Sequence, residues 1–233
     1  MPGHNCKIEI SYFTDVLCIW AYIAQIRMDE LQHNFAQQIQ LKQHFIPVFG
    51  SVALKTEQVW KHQGGLTAYN KHIHELVAKF PHIDVHPDIW LTNTPTTSGN
   101  SHLFLKAVQI LEQRGELDSA DDSSTSLFEQ TIWQFRLAFF KQLINISHYS
   151  EQATIAETLG LPLGKIEQLI NNGEAFAALD EDFQLRDTHR VTGSPSLVFN
   201  EGRQLIYGNV GYRVIEANIQ ELLKQPDNQR SWC

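Results

Sequence analysis

Asp15-Val-Leu-Cys18-Ile-Trp-Ala21-Tyr-Ile-Ala24 is the stretch of sequence that decides the fold. It follows the alternating apolar run Lys7–Phe13, which predicts a strand, and it leads into apolar residues at helical spacing as far as Phe35. Cys18 therefore stands at a strand-to-helix junction, where unpaired main-chain N–H groups and the positive end of the helix dipole favour a thiolate. The pattern predicts that Cys18 is a nucleophile whose pKa lies below that of an ordinary thiol.

The elements around this stretch predict an α/β fold. Leu41–Phe49 reads as a second strand, and it lies parallel to the first because the connection between them is a helix. Residues 51–190 read as a series of helices punctuated by glycine and proline. Two further strands, "SPSLVFN" and "RQLIYGN", flank a turn at Glu201-Gly202, and a last helix covers Tyr212–Lys224. We therefore expect a four-stranded mixed sheet with a large all-helical insertion.

Composition excludes several classes of partner. The 233 residues are 42% apolar, which is enough for a core, and they carry a net charge of −8 with no Lys/Arg-rich run. That balance argues against nucleic acid and anionic membranes as partners. No apolar run approaches the roughly 20 residues that span a bilayer, and no targeting segment precedes the first strand. The expected location is the cytoplasm.

The three cysteines do not form a disulfide framework. They stand at Cys6, Cys18 and Cys233, an odd and scattered set that fits a reducing compartment. Cys6 and Cys18 flank the first strand, whose seven residues at about 3.3 Å each hold them roughly 23 Å apart, beyond disulfide reach. Cys233 ends a tail that is expected to be frayed, and it reaches Cys18 only by chance or within a homodimer.

Two motifs make the chain resemble the DsbA family of thioredoxin-fold proteins. The family pattern D-x-x-C-P-W-C-Y-I-G stands here as "DVLCIWAYIA" at 15–24, and V-x-G-V-P-x-F-V-F stands here as "VTGSPSLVF" at 191–199. The resemblance covers about residues 7–224. It is strongest to the cytoplasmic branch that groups FrnE-like oxidoreductases with 2-hydroxychromene-2-carboxylate isomerases and kappa-class glutathione transferases. It implies a thioredoxin-like domain from 1–50 and 191–225, a helical insertion domain at 51–190, and a flexible tail at 226–233.

The resemblance also implies roles for individual residues. Pro195 is expected to be cis and to face Cys18, and the main chain of Ser194 is expected to pair with a substrate or with glutathione. Trp20 would form an apolar collar around the sulfur. Asn100 and Ser101 resemble the pair that opens an insertion helix in this group. Ser101 reads either as a plain N-cap or as part of a helix N-terminus that binds a carboxylate.

The sequence departs from the family pattern at the resolving cysteine. Ala21 stands where the second thiol of the dithiol pair belongs, and Ile19 replaces the proline. Dithiol cycling is therefore in doubt, and an outside thiol, for which glutathione is the candidate, would have to resolve a mixed disulfide on Cys18. Five of the eleven histidines fall between residues 62 and 86, without the ligand spacing that a metal site needs, so we expect no metal.

Three functions stay open at this point. The first is a thiol-disulfide oxidoreductase that uses Cys18 as its single active-site cysteine, together with glutathione, on small-molecule or protein disulfides. The second is a glutathione-dependent isomerase or transferase acting on small aromatic or electrophilic substrates. In that branch the usual nucleophile is serine in a Ser-Pro-Tyr context, which this chain lacks. The third is a redox-inactive thioredoxin fold that binds a ligand in the cis-proline groove.

Overall fold

A mixed four-stranded sheet forms around the first strand. The computed structural model describes residues 7–117 and 125–224. Strands run in the order β2-β1-β3-β4, with β1 parallel to β2 and the other pairs antiparallel. The strands are β1 (Ile8–Thr14), β2 (Ile39–Phe45), β3 (Ser196–Phe199) and β4 (Gln204–Tyr207). The parallel pairing expected of the first two strands is present, and the second pair forms the expected hairpin.

Nine helices occur in the described residues, and two of them cover one face of the sheet. These are α1 (Ile19–Phe35) and α9 (Tyr212–Leu223). Apolar side chains of β1 pack there against both helices, in a cluster that includes Ile10, Leu31 and Ile219. Burial of such a cluster removes apolar surface from water at about 25 cal/mol per Å², and this stabilises the sheet against the helices.

The remaining seven helices lie between β2 and β3. They are α2 (Val52–Trp60), α3 (Gly65–Val77), α4 (Gly99–Gln113), α5 (Leu127–Phe140), α6 (Tyr149–Thr158), α7 (Leu163–Asn171) and α8 (Glu174–Thr188). Ser126 caps α5 through a capping box with Glu129, as its sequence position predicts. The helices enclose an aromatic core in which Tyr22 of α1 stacks on Phe140 at 4.8 Å. This contact joins the first helix of the sheet unit to the inserted helices.

The predicted fold class is confirmed: the sheet is four-stranded and mixed, and a helical insertion interrupts it. Several boundaries differ from the sequence expectation, most of all those of α1 and β2. Helix α1 begins at Ile19 rather than near Asp15, because the Cys18 N–H bonds the Asp15 carbonyl at 3.0 Å and closes a turn first. Strand β2 runs from Ile39 to Phe45 instead of from Leu41 to Phe49, because the chain turns after it, where the Val48 N–H bonds the Ile46 carbonyl at 2.9 Å.

Some expectations fall outside what the structure describes. Cys6, Cys233 and the tail at 226–233 lie beyond the described residues. The boundaries of the two predicted domains stay a prediction. In the described ranges, no helix is both long and apolar enough to cross a membrane.

Candidate active site around Cys18

Cys18 occupies the N-cap of α1, where the chain leaves the sheet. Its main chain is extended, with φ −81° and ψ 115°, and its carbonyl accepts the N–H groups of Ala21 and Tyr22, each at 3.1 Å. The thiol donates to the carbonyl oxygen of Ser194 at 3.2 Å. The sulfur therefore lies between the first turn of the helix and the loop before β3, two segments 176 residues apart in sequence.

Ser194 contacts the site through both its main chain and its side chain. The Ser194–Pro195 peptide bond is cis, and the Ser194 carbonyl accepts the hydrogen bond of the Cys18 thiol. The Ser194 hydroxyl oxygen accepts the main-chain N–H of Asp15 at 2.9 Å. This leaves the hydroxyl proton free to point at the sulfur, where its hydrogen bond lowers the pKa of Cys18.

Burial nevertheless raises the pKa of the Cys18 thiol above its ordinary value. Cys18 is only 6% exposed, so the loss of hydration outweighs the Ser194 hydroxyl and the N–H groups of Ala21 and Trp20, which favour the thiolate. The carboxylate of Asp15 raises the pKa further. The expectation of a lowered pKa was wrong, because it counted the helix N-terminus and could not count the depth of the sulfur.

Asp15 is a buried carboxylate at the centre of a hydrogen-bond network. Its Oδ1 accepts the N–H of Leu17 at 2.8 Å, and its Oδ2 accepts the N–H of Phe49 and the hydroxyl of Ser98, both at 2.8 Å. These bonds tie the turn before Cys18 to the residues after β2 and to the start of α4. Three donors solvate the charge in place of water.

His102 lies beside this carboxylate but does not neutralise it. The Val16 N–H donates to Nε2 of His102 at 3.1 Å, so that nitrogen is an acceptor and the ring is neutral with its proton on Nδ1. The same Nε2 is 3.6 Å from the Asp15 carboxylate, and the ring stacks on Phe45 at 5.1 Å. No group of the described residues pairs with Nδ1. The charge of Asp15 is therefore felt by the nearby thiol.

Residues of α2 and α3 form part of the apolar surroundings in which Cys18 is buried. Val52, Ile73 and Leu76 belong to the same apolar cluster as Cys18. Burial, and after it the charges of Cys18 and Asp15, raises the pKa of the Tyr69 phenol on α3. Because the thiol is only 6% exposed, a reagent has little access to it in this structure.

The other predicted site residues are not all near the thiol. Trp20 is half-buried, its ring meets Phe80 edge-on at 6.2 Å, and it packs against the apolar cluster that includes Cys18. Asn100 and Ser101 donate to the carbonyls of Ser147 and Ile146 at 3.1 and 2.7 Å, which ties α4 to the start of α6.

Ser101 is not the N-cap that one interpretation of the sequence assigned. The helix begins at Gly99 after Ser98, so Ser101 stands within its first turn. Its hydroxyl is committed to the Ile146 carbonyl. Ser98, which the sequence did not single out, is the residue at this helix end that reaches the Cys18 turn through Asp15.

The loop that carries Ser194 is closely packed. A Cβ at Gly193 would lie 2.7 Å from the Tyr207 side chain of β4, so only glycine fits without a movement of that ring. Ser196 donates to the Gly193 carbonyl at 2.7 Å and fixes the same loop from the other side. Across the described ranges, no group of three or more His, Cys, Asp or Glu residues is arranged to hold a metal ion.

Comparison with protein families assigns the chain. The profile of the DSBA-like thioredoxin domain matches residues 9–220, which is most of the chain. The chain belongs to the DSBA-like thioredoxin domain family. Its members act on thiol and disulfide substrates, and they are usually thiol oxidoreductases or isomerases. No curated protein matches the sequence.

Solved structures of the DSBA-like fold are similar over nearly the whole chain. A 2-hydroxychromene-2-carboxylate isomerase is similar at TM-score 0.62 and 14% identity, over 94% of this chain and 97% of its own. The cytosolic disulfide reductase DsbM from Pseudomonas aeruginosa is similar at TM-score 0.63 and 14% identity, over 92% of this chain and 100% of its own. The structure of the same DsbM with GSH is similar at TM-score 0.59 and 15% identity, over 94% of this chain and 98% of its own. At these identities the likeness is one of fold.

Sequence reasoning found the thiol and the cis-proline loop but missed the network behind them. Asp15 was visible as the first residue of the motif, and its position at a predicted strand end was the only available indication. Ser98 and His102 gave none, because they come from a helix whose packing on the sheet cannot be predicted from periodicity.

Proposed function

We propose that this protein is a thiol-disulfide oxidoreductase in which Cys18 is the only active-site cysteine and glutathione is the resolving thiol. The observation that carries the proposal is the contact between the Cys18 thiol and the Ser194 carbonyl, across from the cis peptide and at a helix N-terminus. Ala21 stands one turn along the helix, where a second thiol would otherwise act. Because no second cysteine stands one turn away, a mixed disulfide formed on Cys18 needs a thiol from solution to resolve it.

The reaction balances with glutathione alone as co-reactant. The Cys18 thiolate attacks the glutathione sulfur of a mixed disulfide, a new S–S bond forms, and the substrate leaves as a thiolate that takes up a proton. A second glutathione thiolate then attacks the glutathionylated Cys18. Glutathione disulfide departs, and the Cys18 thiolate is restored. The substrate sulfur is reduced to a thiol, and one free glutathione is oxidised as it joins the glutathionyl group in glutathione disulfide.

The resting hydrogen bond suggests how substrate binding and activation are linked. The Ser194 carbonyl accepts the thiol proton when the site is empty. Loss of that proton frees the carbonyl to accept an N–H from the main chain of a bound peptide or glutathione, as β-type pairing requires. The Ser194 hydroxyl then donates to the sulfur. A ligand that donates to the carbonyl thus favours the thiolate.

The likeness to DsbM supports both glutathione and a cytoplasmic location. That protein is described as a cytosolic disulfide reductase, and one of its structures contains GSH. Glutathione keeps thiols reduced in the cytoplasm, so a monothiol enzyme would find its co-reactant there. Small or protein disulfides are the proposed substrates.

One observation favours a second function, a redox-inactive module that binds a ligand in the cis-proline groove. Cys18 is 6% exposed, and its pKa is raised by burial. A thiol that stays protonated and covered would not turn over. The two functions differ in whether ligand binding uncovers the sulfur, and this difference can be measured.

The test is intact mass spectrometry of the folded Cys6→Ser, Cys233→Ser protein with glutathione disulfide. The oxidoreductase gains one glutathionyl group, loses it on addition of glutathione, and catalyses reduction of a small mixed disulfide. The matched Cys18→Ser protein does none of these. An adduct that forms only in denaturant would refute the oxidoreductase and leave the binding module.

A further inference from the structure

Strand β2 is one of the two edge strands of the sheet, and its outer side faces away from β1. The Ile8 N–H donates to the Gln38 carbonyl, and the Ile46 N–H donates to the Thr14 carbonyl. In a parallel ladder main-chain groups alternate in direction, so the even-numbered residues of β2 bond to β1. The odd-numbered residues point their N–H and C=O groups outward.

Side chains from the insertion satisfy the outward groups at the C-terminal end of β2. Gln109 of α4 donates to the Gln43 carbonyl at 3.0 Å, and Asp182 of α8 accepts the Phe45 N–H at 2.8 Å. Lys106 holds the same carboxylate at 3.1 Å, and both charged side chains are buried. This half of the edge is closed by the fold itself.

The N-terminal half of the same edge is open. The outward N–H and C=O of Leu41 and the outward N–H of Gln43 have no hydrogen-bond partner within 7–117 or 125–224. They face a cavity of about 520 Å³. An unpaired strand edge is a template for another strand, and proteins usually cover it or block it.

The shape of the cavity fits a strand. Residues from both faces of the sheet line the cavity. The cavity therefore lies beside the edge of β2, where the next strand of the sheet would be. Apolar side chains flank that plane on the two sides, and α4 forms the wall opposite the strand. The lining includes Met28, Phe128 and Ile132 on one side, Leu185 on the other, and Ile110 and Gln113 on the wall.

A buried polar atom in the cavity also lacks a partner. Tyr12 lines the cavity and is only 2% exposed, yet its hydroxyl bonds to no atom in the described part of the chain. Burial raises its pKa to about 12, so the phenol stays neutral and can donate. An occupant with a main-chain carbonyl or a polar side chain at this point would satisfy it.

The charges of the lining select among peptides. Both of its lysines are paired, Lys42 with Glu9 and Lys106 with Asp182. Glu181 has no ion-pair partner in the described residues. A neutral or basic segment is therefore favoured over an acidic one.

We propose that this groove binds an extended, neutral or basic peptide segment of a partner protein, which pairs with Leu41 and Gln43 as a fifth strand. The edge from Ile39 to Gln43 comprises five residues, and the four rises between them span about 13 Å. Main-chain hydrogen bonds supply affinity and the flanking side chains supply selectivity. The proposal does not depend on the reactivity of Cys18.

The test begins with selection from displayed random peptides of about seven residues, followed by synthesis of individual sequences and titration against the full chain. Hydrogen exchange should show new protection of the Leu41 and Gln43 amides in the complex. Leu41→Pro removes the outward N–H and should weaken binding about tenfold, the effect of one or two hydrogen bonds. Gln113→Trp, which fills the cavity from an exposed position, should weaken it similarly.

The matched control is Leu205→Pro on β4, the other edge strand. The Gly208 N–H bonds the Pro195 carbonyl, so Leu205 also points outward, but on the opposite edge. This variant should bind the peptides as the parent does. Cooperative thermal unfolding of each variant checks its fold. The proposal is overturned if no peptide binds, if both proline variants act alike, or if protection falls only on the cis-proline loop.

Discussion

Replacement of Asp15 by asparagine should destabilise the protein while making Cys18 more acidic. The carboxylate accepts the Leu17 N–H on one oxygen and two donors, the Phe49 N–H and the Ser98 hydroxyl, on the other. An asparagine oxygen can keep the latter two, but its NH₂ group then faces the Leu17 N–H. The buried Leu17 N–H loses its acceptor, which costs about 1–3 kcal/mol of stability. The two remaining hydrogen bonds go to a neutral oxygen instead of a carboxylate, which costs about 1 kcal/mol each.

The expected total is a loss of about 4 kcal/mol of unfolding free energy. For a chain of this size that corresponds to a Tm lower by about 10 °C. The same substitution removes a negative charge that raises the pKa of Cys18, so that pKa falls. It stays above the ordinary thiol value, because burial, the larger cause, is unchanged.

The assay is alkylation of Cys18 as a function of pH, in the Cys6→Ser, Cys233→Ser background. Only the thiolate reacts, so the rate rises with pH through the pKa of the thiol. In the parent protein, the alkylation rate should rise at pH values above about 8.5, which is the pKa of an ordinary thiol. Asp15→Asn should move it to lower pH, and the rate at neutral pH should increase.

Asp182→Asn is the matched control. Asp182 is also a buried carboxylate with three partners, the Phe45 N–H, Lys106 and His44, but it is not among the groups that shift Cys18. It should cost comparable stability and leave the alkylation profile unchanged. If both variants shift the profile alike, loosening of the fold is the cause. An Asp15→Asn profile equal to that of the parent would refute the electrostatic argument.

Two further substitutions test the site. Ser194→Ala removes a hydroxyl that lowers the pKa of Cys18, so the alkylation profile should move to higher pH, whereas Ser196→Ala, whose hydroxyl bonds the Gly193 carbonyl, should leave it in place. Ala21→Cys should restore a dithiol, because residues three apart in a first helical turn have Cα atoms within the range of about 4.4–6.8 Å that a disulfide spans. Oxidation should then remove both thiols, as intact mass and thiol titration would show. The control Ala24→Cys lies about 9 Å along the helix axis and should keep both thiols free.

The sequence alone determined the order and type of the elements that carry the thiol. Alternation over Lys7–Phe13 and helical spacing after Cys18 are local patterns, and each depends on residues close together in the chain. The strands around Pro195 were equally visible, because Glu201-Gly202 is a local turn. These patterns, together with the two motifs, gave the sheet, the helical insertion and the opposition of Cys18 and Pro195.

Tertiary structure alone decided how reactive that thiol is. The sulfur is buried in an apolar cluster to which the inserted helices contribute, and the Asp15 carboxylate is held by donors that come from a residue after β2 and from the start of α4. The open edge of β2 likewise results from where Gln109 and Asp182 happen to reach. Burial, charge compensation and unpaired edges depend on contacts between distant segments, and periodicity along the chain contains no information about them.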